Sequence, residues 1–525
     1  MLGFFVAGPY DDGDPVTGHY YEMASGDRSR PQVWGYSDRL SYAPGQHLCL
    51  HAMSSAPKAR LRIARDGLDP KLVLETEIDT RFAPTPADCS VRGCDWPLAF
   101  ETVIPADWAS GVYTLTLSID GHQSQGMFVL KPAKPAARLA MVLATGTWCA
   151  YNDWGGSNHY QGLCGPTGGD FSAEVSLLRP WATGFVRWPE DAPRIPHASP
   201  LLSRPAYPHM DYARARGISK KYASSGWAAF ERPFAVWCED QGIQLDYFTQ
   251  HDLHADPTCL DSYPRAVIVG HDEYWTWEMR DHLDGWLDRG GELARFGGNF
   301  FWQTRLSADL LTQTCHKYRA GAEDPLARTD RITSYWDHPG TRRPAVATMG
   351  LTGSMGVYAG WSRCAAHGAG GFTIYRPDHW VLAGTGLGYG DVLGAASKIF
   401  GYEVDGIDYE IRKGLPYPAE GTGLVGKLTI VGLSLATTLS HSTGRHDEDH
   451  FIGALDAEEV AEIVYGKITP ETLGLASRGN GCMAEYRRGR GAVFNAGSCE
   501  WVAGLIARER PVEVVTRNLL MGDWG

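Results

Sequence analysis

The segment VIVGHDEYWT, residues 267–276, joins a short apolar run to a histidine, two carboxylates and two aromatic side chains. Glu273 can ligate a metal or act as a base, and His271 can move a proton or bind a substrate. The alternative is structural, because polar side chains at the end of a strand also form networks that cap the following helix. The segment is therefore a candidate active site with two interpretations.

A second candidate is YNDWGGSNHY, residues 151–160, which follows the apolar segment LAMVLATGTW. Tyrosine oxygen is a hard ligand that suits ferric iron, and the charge of that ion can strip a phenol of its proton. The density of aromatic and polar residues favours a site in this segment over an ordinary glycine-rich loop.

Two further segments carry groups that could assist hydrolysis. GGNFFWQ places Asn299 just past a strand, where its amide can hold a carbonyl or a developing oxyanion. GYEVDGID offers Glu403 and Asp405, and one carboxylate near a metal-bound water would make a general base.

The remaining histidine-rich segments have weaker patterns. HDLH supplies His251 and His254 at the end of another predicted strand, but no third zinc ligand has a recognisable spacing to them. Structural histidines at the rim of a site, and a solvated loop for HSTGRHDEDH (441–450), are the favoured interpretations. No G-x-S-x-G, P-loop or dinucleotide-binding fingerprint occurs.

The elements that position these residues alternate between strand and helix. Buried strands are predicted at LAMVL, IQLDYFTQHDL, RAVIVG and GELARFGG, with helices at 231–242 and over WEMRDHLDGWLDRGG. Such units predict an α/β fold with a mostly parallel, doubly wound sheet, whose ligands bind beyond the carboxyl ends of the strands. The candidate segments around YNDWGGSNHY, HDLH, HDEYW and GGNFFWQ follow predicted strands, whereas GYEVDGID lies where the pattern is weaker.

The N-terminal part has a different rhythm. Residues 1–32 form a predicted irregular arm, and residues 33–135 contain short strands separated by turn dipeptides such as Asp120-Gly121. This spacing predicts an immunoglobulin-like β-sandwich, followed by a Pro/Ala/Lys linker and an α/β catalytic domain over 136–525.

Composition excludes several classes of function. The 525-residue chain has a net charge of -13, which argues against nucleic-acid binding. No stretch approaches 18 apolar residues, so no membrane span is expected. The 11 cysteines have no repeated spacing, so we expect neither a disulfide framework nor a zinc ribbon, and a cytoplasmic location.

Together these segments resemble the large (β) subunit of N,N-dimethylformamidase. The resemblance covers the sandwich segment GYSDRLSYAPGQ…ARDG and nearly all of 139–525. The motifs that carry it are YNDWGGSNHY, VSLLRP, HDLH, GHDEYW, GGNFFW, GYEVDG and NAGSCEW. It implies a glutamine-amidotransferase-like α/β fold without that fold's catalytic cysteine, and an amidase that cleaves a small amide.

The resemblance also implies a mononuclear iron (Fe3+) held by two tyrosines and a glutamate. Tyr151 and Glu273 match two of these ligands, and Tyr207 is expected as the third, ahead of Tyr212 and Tyr222. His271, Asn299 and Glu403 are the expected catalytic residues, with Glu403 as base. A small accessory subunit and a homo- or hetero-oligomer are the expected partners.

Two other functions stay open from the residues alone. One is a zinc metallohydrolase that uses His251, His254 and a carboxylate. The other is a non-catalytic binding module whose aromatic loops grip a ligand.

Overall fold

The computed structural model describes residues 4–15, 17–163, 171–194, 208–356, 370–435, 461, 467–476 and 479–524. The chain forms two compact units. The first comprises Met1–Arg194, Pro208–Asp256 and Thr304–His316. The second comprises Ile195–Tyr207, Pro257–Gln303 and Lys317–Gly525.

The first unit is rich in strands. They are β1 (Phe5–Ala7), β2 (Tyr20–Glu22), β3 (Val33–Ser37), β4 (Ser41–Tyr42), β5 (His47–Ser54), β6 (Lys58–Arg65), β7 (Lys71–Asp79), β8 (Leu98–Val103), β9 (Gly111–Ile119), β10 (His122–Leu130), β11 (Leu139–Leu143), β12 (Glu174–Ser176) and β13 (Leu245–Thr249), with Thr312–Thr314 later in the chain. Its helices are Cys89–Arg92, Thr145–Tyr151, Pro208–Arg216, Glu231–Asp240 and Gln250–Ala255.

Two sheets share one apolar core in the N-terminal part of this unit. One sheet has the order β4-β10-β9-β6-β7 and the other β3-β5-β8. Strand β6, KARLRIAR, alternates exposed and buried residues, as expected when one face of a strand packs on a core and the other meets solvent. Leu50 of β5, Leu61 of β6 and Leu115 of β9 all belong to that core, so side chains of both sheets meet there.

The later part of the first unit is mixed α/β. Strand β11 is buried throughout and pairs in parallel with β13. The helix predicted over 231–242 is observed as Glu231–Asp240. The strand predicted through HDLH ends at Thr249, because the Thr249 hydroxyl accepts a hydrogen bond from the Asp252 amide and starts the helix Gln250–Ala255. His251 and His254 therefore lie on a helix.

The second unit carries the remaining regular elements. Its strands are β14 (Arg265–His271), β15 (Tyr274–Thr276), β16 (Glu292–Gly298), β19 (Phe372–Ile374), β20 (Val392–Leu393), β21 (Tyr409–Arg412), β22 (Leu415–Pro418), β23 (Lys427–Leu435), β24 (Asn480–Arg488) and β25 (Gly491–Asn495). The strand Thr312–Thr314 of the first unit is β18, and β17 (Trp302–Leu306) begins in the second unit and ends in the first. Its α-helices are Trp277–Asp288, Ala320–Glu323, Val346–Met349, Pro470–Ala476, Trp501–Ile506 and Arg510–Met521, with 3-10 helices at Lys317–Arg319, Gly353–Met355 and Trp380–Leu382.

The main sheet of the second unit runs in the order β14-β16-β25-β24-β23-β19-β20. The pairs β14–β16 and β16–β25 are parallel, whereas β25–β24, β24–β23 and the later pairs are antiparallel. Strands β14 and β16 are almost fully buried; this suits the apolar run AVIV of β14, whereas β16, ELARFGG, carries the charged Arg295 at its centre. The doubly wound, glutamine-amidotransferase-like fold and the domain boundaries at residues 32 and 135 stay predictions.

In the part of the chain that the structure describes, every helix falls short of the length and apolarity that a bilayer crossing requires.

Candidate active site

Two of the candidate residues lie at the carboxyl ends of adjacent parallel strands. His271 is the last residue of β14 and pairs with Gly298, the last residue of β16. Asn299 follows directly, so both side chains reach the same edge of the sheet. The helix that begins at Trp277 is capped by the Thr276 hydroxyl, which accepts from the Met279 amide. The helix-capping role that was considered for His271, Asp272 and Glu273 therefore belongs to Thr276.

Glu403 reaches this edge from a segment without regular secondary structure. Its carbonyl accepts a hydrogen bond from the Cys499 amide at 3.0 Å, and Val404 bridges to Ser498. A side chain at Gly298 would place its Cβ only 2.4 Å from the Glu403 carbonyl oxygen. Glycine at 298 is therefore what allows the two backbones to approach so closely.

These residues form a compact buried group. The Nε2 atom of His271 lies 2.5 Å from Oε2 of Glu403 and 3.3 Å from Oε2 of Glu273. The Asn299 amide nitrogen donates to Oε2 of Glu403 at 2.7 Å. We name His271, Glu273, Asn299 and Glu403 the His271 cluster; each is at most 4% exposed.

The two glutamates control the charge of His271. Burial alone would lower the pKa of this imidazole, but the charge of Glu403 and the hydrogen bonds of both glutamates raise the pKa well above 6.5. His271 is therefore an imidazolium that donates to Glu403. Its 3.3 Å contact with the Asn299 amide nitrogen joins two donors and is not a hydrogen bond in that state.

Glu273 is held by a residue that the sequence analysis did not single out. The indole N–H of Trp302 donates to Oε1 of Glu273 at 2.7 Å, and the Trp302 amide donates to the Glu273 carbonyl at 2.9 Å. The Lys317 ammonium lies 4.8 Å from the Trp302 ring centroid, and Lys317 is 2% exposed. A tryptophan three residues after Asn299, in GGNFFWQ, was the available signal for this contact.

A second buried ionic group lies beside the first. The Arg295 guanidinium donates to both oxygens of Asp272, to Asp405 at 2.5 Å and to Asn495 at 3.1 Å. We name Arg295, Asp272, Asp405 and Asn495 the Arg295 network. Burial alone would lower the pKa of Arg295, but its two carboxylate partners raise the pKa above its ordinary range. Of the two carboxylates in GYEVDGID, Glu403 therefore joins the His271 cluster and Asp405 joins the Arg295 network.

Two residues of the site have backbones in the left-handed region. Asn299 has a φ of 62° and Tyr402 a φ of 56°. Asparagine tolerates this conformation, whereas a bulky aromatic residue rarely adopts it. The Tyr402 ring is perpendicular to the His271 imidazole, and the two ring centroids are 5.3 Å apart. The left-handed backbone at Tyr402 therefore places an aromatic ring in contact with that histidine.

Tyr151 lies in the first unit, at the end of the helix Thr145–Tyr151, and is 3% exposed. Its ring lies 4.5 Å from that of Tyr160, and the Lys221 ammonium lies 5.1 Å from its centroid. The Asn158 side chain donates to the Tyr151 carbonyl at 2.9 Å. The loop YNDWGGSNHY thus folds back on its first tyrosine, with a cation beside it.

The structure describes two of the other three tyrosine candidates. Tyr207 lies outside the described residues. In the first unit, the Tyr212 hydroxyl donates to the Glu190 carbonyl at 2.6 Å, and the Tyr222 hydroxyl donates to the Pro193 carbonyl at 2.7 Å. Both phenols therefore serve backbone acceptors in this structure.

Among the described residues, one group of potential metal ligands is close enough to share an ion. It consists of His271, Glu273 and Glu403, whose donor atoms lie within 4.8 Å of one another. His251 and His254 are not part of it. His251 contacts the Thr145 hydroxyl at 2.8 Å, and burial lowers the pKa of its imidazole to about 3. The segment 441–450 lies outside the described residues.

Comparison with known proteins gives one family. A family model described as N,N-dimethylformamidase beta subunit-like, C-terminal, matches residues 66–512. No curated protein matches this chain. Among solved structures, alpha-2-macroglobulin of Escherichia coli, activated by porcine elastase, is similar over 21% of this chain and 9% of its own length, with 15% identity and a TM-score of 0.14. A similarity this low carries no argument about fold or function.

Proposed function

Because this chain belongs to the N,N-dimethylformamidase beta subunit-like family, we propose that it is an amidohydrolase that cleaves a small amide, such as N,N-dimethylformamide, into an amine and a carboxylate. The observation that carries the proposal is the His271 cluster. It joins a charged imidazole to two carboxylates in a buried group at the carboxyl edge of a sheet.

The chemistry can be assigned to the residues of this cluster. Glu403 accepts a proton from the attacking water, since its carboxylate is held in place by Asn299 and His271. His271 carries a positive charge next to that carboxylate and stabilises the oxyanion of the tetrahedral intermediate. Asn299 orients the substrate carbonyl. The proton taken by Glu403 then passes to the leaving amine, and the carbonyl carbon leaves as the carboxylate.

The donor set also suits a metal ion. Two carboxylates lie within 4.8 Å of an imidazole that can join them as a ligand once it has lost its proton, and such hard or intermediate ligands bind transition metals. We propose mononuclear ferric iron held by Glu273, with Tyr151 and Tyr207 as the phenolate ligands. When bound, this ion would act as a Lewis acid for the carbonyl or for water.

We further propose a cytoplasmic location and an assembly with a small accessory subunit or with further copies of the chain. The family description names a beta subunit, which supports a partner chain. The nine cysteines in the described ranges are free thiols, which suits a reducing compartment.

The first test is activity. We expect the purified protein to release amine and carboxylate from at least one member of a panel of small amides that includes N,N-dimethylformamide, formamide and acetamide. Intact substrates throughout the panel, with a folded protein that retains its metal, would contradict the proposed reaction.

The second test is metal content with a visible spectrum. We expect about one iron per chain and a phenolate-to-iron absorption band that Tyr151→Phe weakens, because Tyr207 remains as the second phenolate. Tyr160→Phe, which changes the neighbouring ring, is the matched control and should keep the band. A colourless protein with stoichiometric zinc would overturn the iron assignment while leaving hydrolysis open to the first test.

A further inference from the structure

A cavity of about 770 Å³ lies within the first unit, and none of the residues of the His271 cluster lines it. Its volume is in the range of pockets that hold small organic ligands. The wall is formed by the strand pair β9 and β10, by the N-terminal segment and by residues 181–186 and 216–218. It uses parts of the chain to which the proposed hydrolysis assigns no role.

Three aromatic residues line this cavity, namely Phe4, Trp34 and Trp181. The Phe4 and Trp34 rings pack edge to face at 5.3 Å, so the apolar surface is held rigidly. Flat apolar walls of this kind stack against planar ligands, and a ring system gains most from them.

The polar residues of the wall include a histidine and two arginines that can donate hydrogen bonds. His122 accepts the Val33 amide at Nδ1, at 3.1 Å, so its proton is carried by Nε2. Burial lowers the pKa of His122 to about 4, which keeps this ring neutral with one N–H to donate. Arg30 and Arg216 also line the cavity; the Arg30 guanidinium lies 4.0 Å from the Phe4 ring centroid and that of Arg216 lies 5.2 Å from the Tyr212 ring centroid.

The lining also contains one carboxylate, but it is already engaged. The Thr183 amide and hydroxyl donate to the two oxygens of Glu22 at 2.6 and 2.7 Å. Burial raises the pKa of Glu22 to about 7, so its negative charge is weak at neutral pH. The cavity is therefore cationic in a chain whose net charge is -13.

We propose that this cavity binds a small organic carboxylate with a planar aromatic body, its ring against Trp34 and Trp181 and its carboxylate on Arg216. A guanidinium matches a carboxylate through two parallel hydrogen bonds, and a cationic site in an acidic protein selects anions. The site is separate from the proposed hydrolysis, and neither depends on the other.

Calorimetric titration of the full-length protein with 2-naphthoate tests the proposal. We expect saturable binding of about one 2-naphthoate per chain. Naphthalene-2-methanol lacks the charge and acetate lacks the ring, so both should bind at least about tenfold more weakly.

Two variants locate the site. Arg216→Gln should weaken 2-naphthoate binding about tenfold, the scale of a lost charge-assisted hydrogen bond. Arg216 is exposed, so this change leaves the core intact. Arg92→Gln removes an equally exposed arginine of the same unit that does not line the cavity, and it should bind like the unchanged protein. Gln123→Trp, at an exposed lining position, should fill the cavity and abolish binding.

Three results would overturn the proposal: no 2-naphthoate binding at millimolar concentration, equal binding by Arg216→Gln and Arg92→Gln, or equal affinity for naphthalene-2-methanol.

Discussion

The His271 cluster and the Arg295 network are built from neighbouring residues, yet they use their hydrogen bonds differently. Asp272 lies between His271 and Glu273, and it turns to Arg295. In the Arg295 network one guanidinium serves two carboxylates and an amide, and Asp405 accepts the Phe300 amide as well. Its members are 0% exposed, and every carboxylate oxygen of Asp272 and Asp405 accepts a hydrogen bond, whereas the buried Nδ2 atom of Asn495 has no partner among the described residues.

In the His271 cluster the hydrogen bonds are distributed less evenly than in the Arg295 network. Its histidine and Asn299 both donate to a single oxygen of Glu403. The buried Oδ1 atom of Asn299 has no hydrogen-bond partner among the described residues. An unpaired buried acceptor is costly in a folded protein and is retained mainly where another molecule supplies its partner. Because the Arg295 network also leaves one amide atom without a partner among the described residues, at Asn495, the two groups differ in how their carboxylates are paired: those of Asp272 and Asp405 by a guanidinium, that of Glu403 by His271 and Asn299 through one oxygen.

The largest expected effect is on stability and comes from removing the cation of the Arg295 network. Arg295→Met leaves Asp272 and Asp405 buried without a cation, so we expect the free energy of unfolding to fall by about 5 kcal/mol, near the upper end for a broken buried ion pair. Urea unfolding measures the change. Arg412→Met, at a largely exposed arginine of the same unit, should leave the stability almost unchanged. Equal stability of the two variants would show that the network is not structural.

The next largest effect is on activity and comes from a change in the His271 cluster. Glu403→Gln keeps an acceptor for Asn299 but removes the charge beside His271, so we expect kcat/KM for the amide to fall by on the order of 1000-fold. Unfolding should change much less than for Arg295→Met. Glu410→Gln, an exposed glutamate of the second unit, is the control and should keep full activity. Unchanged activity of Glu403→Gln would remove Glu403 from the role of base.

Glu22 sharpens the comparison, because it is a fully buried carboxylate whose hydrogen-bond donors are an amide and a hydroxyl instead of a cation. Burial raises its pKa from 4.5 to about 7 in the folded state. The folded protein therefore binds more protons than the unfolded chain between these values, and stability falls as the pH rises from about 4.5 to about 7.

Glu22→Gln should remove that pH dependence. The difference in unfolding free energy between the variant and the unchanged protein should grow in favour of the variant by about 3 kcal/mol across this window. Urea unfolding at pH 4.5 and pH 7.5 measures it. Parallel stability curves for the two proteins would show that Glu22 ionises without cost.

Part of this arrangement could be predicted from the sequence. The alternation of strand and helix segments located the strands Arg265–His271 and Glu292–Gly298, and parallel strands end at one edge, so His271 and Asn299 were expected at that same edge. The same reasoning could not place Glu403. Its position depends on backbone contacts with Gly298 and Cys499, which no periodicity encodes.

The Arg295 network was missed for a different reason. A charged residue in the centre of the buried strand ELARFGG must find partners, since an unpaired buried charge is very costly. The sequence carried that signal, but the choice between Asp272, Glu273, Glu403 and Asp405 as partners depends on the directions of their side chains. Tyr151 was assigned from the family resemblance, and its role as a ligand stays a prediction.

The smallest effect concerns the residue that holds Glu273. Trp302→Phe keeps an aromatic ring but removes the N–H that donates to Oε1 of Glu273 at 2.7 Å. Partners that orient a catalytic or ligating carboxylate contribute on the order of tenfold, so we expect kcat/KM to fall about tenfold. Trp336→Phe is the matched control, because Trp336 is fully buried and its N–H has no partner among the described residues. If Trp336→Phe lost as much activity as Trp302→Phe, packing and not the hydrogen bond to Glu273 would explain the loss, and Glu273 would not need an aligned donor. If Trp302→Phe alone loses activity, the function of the His271 cluster depends on a single hydrogen bond to Glu273. In the Arg295 network, by contrast, every carboxylate oxygen has its own donor.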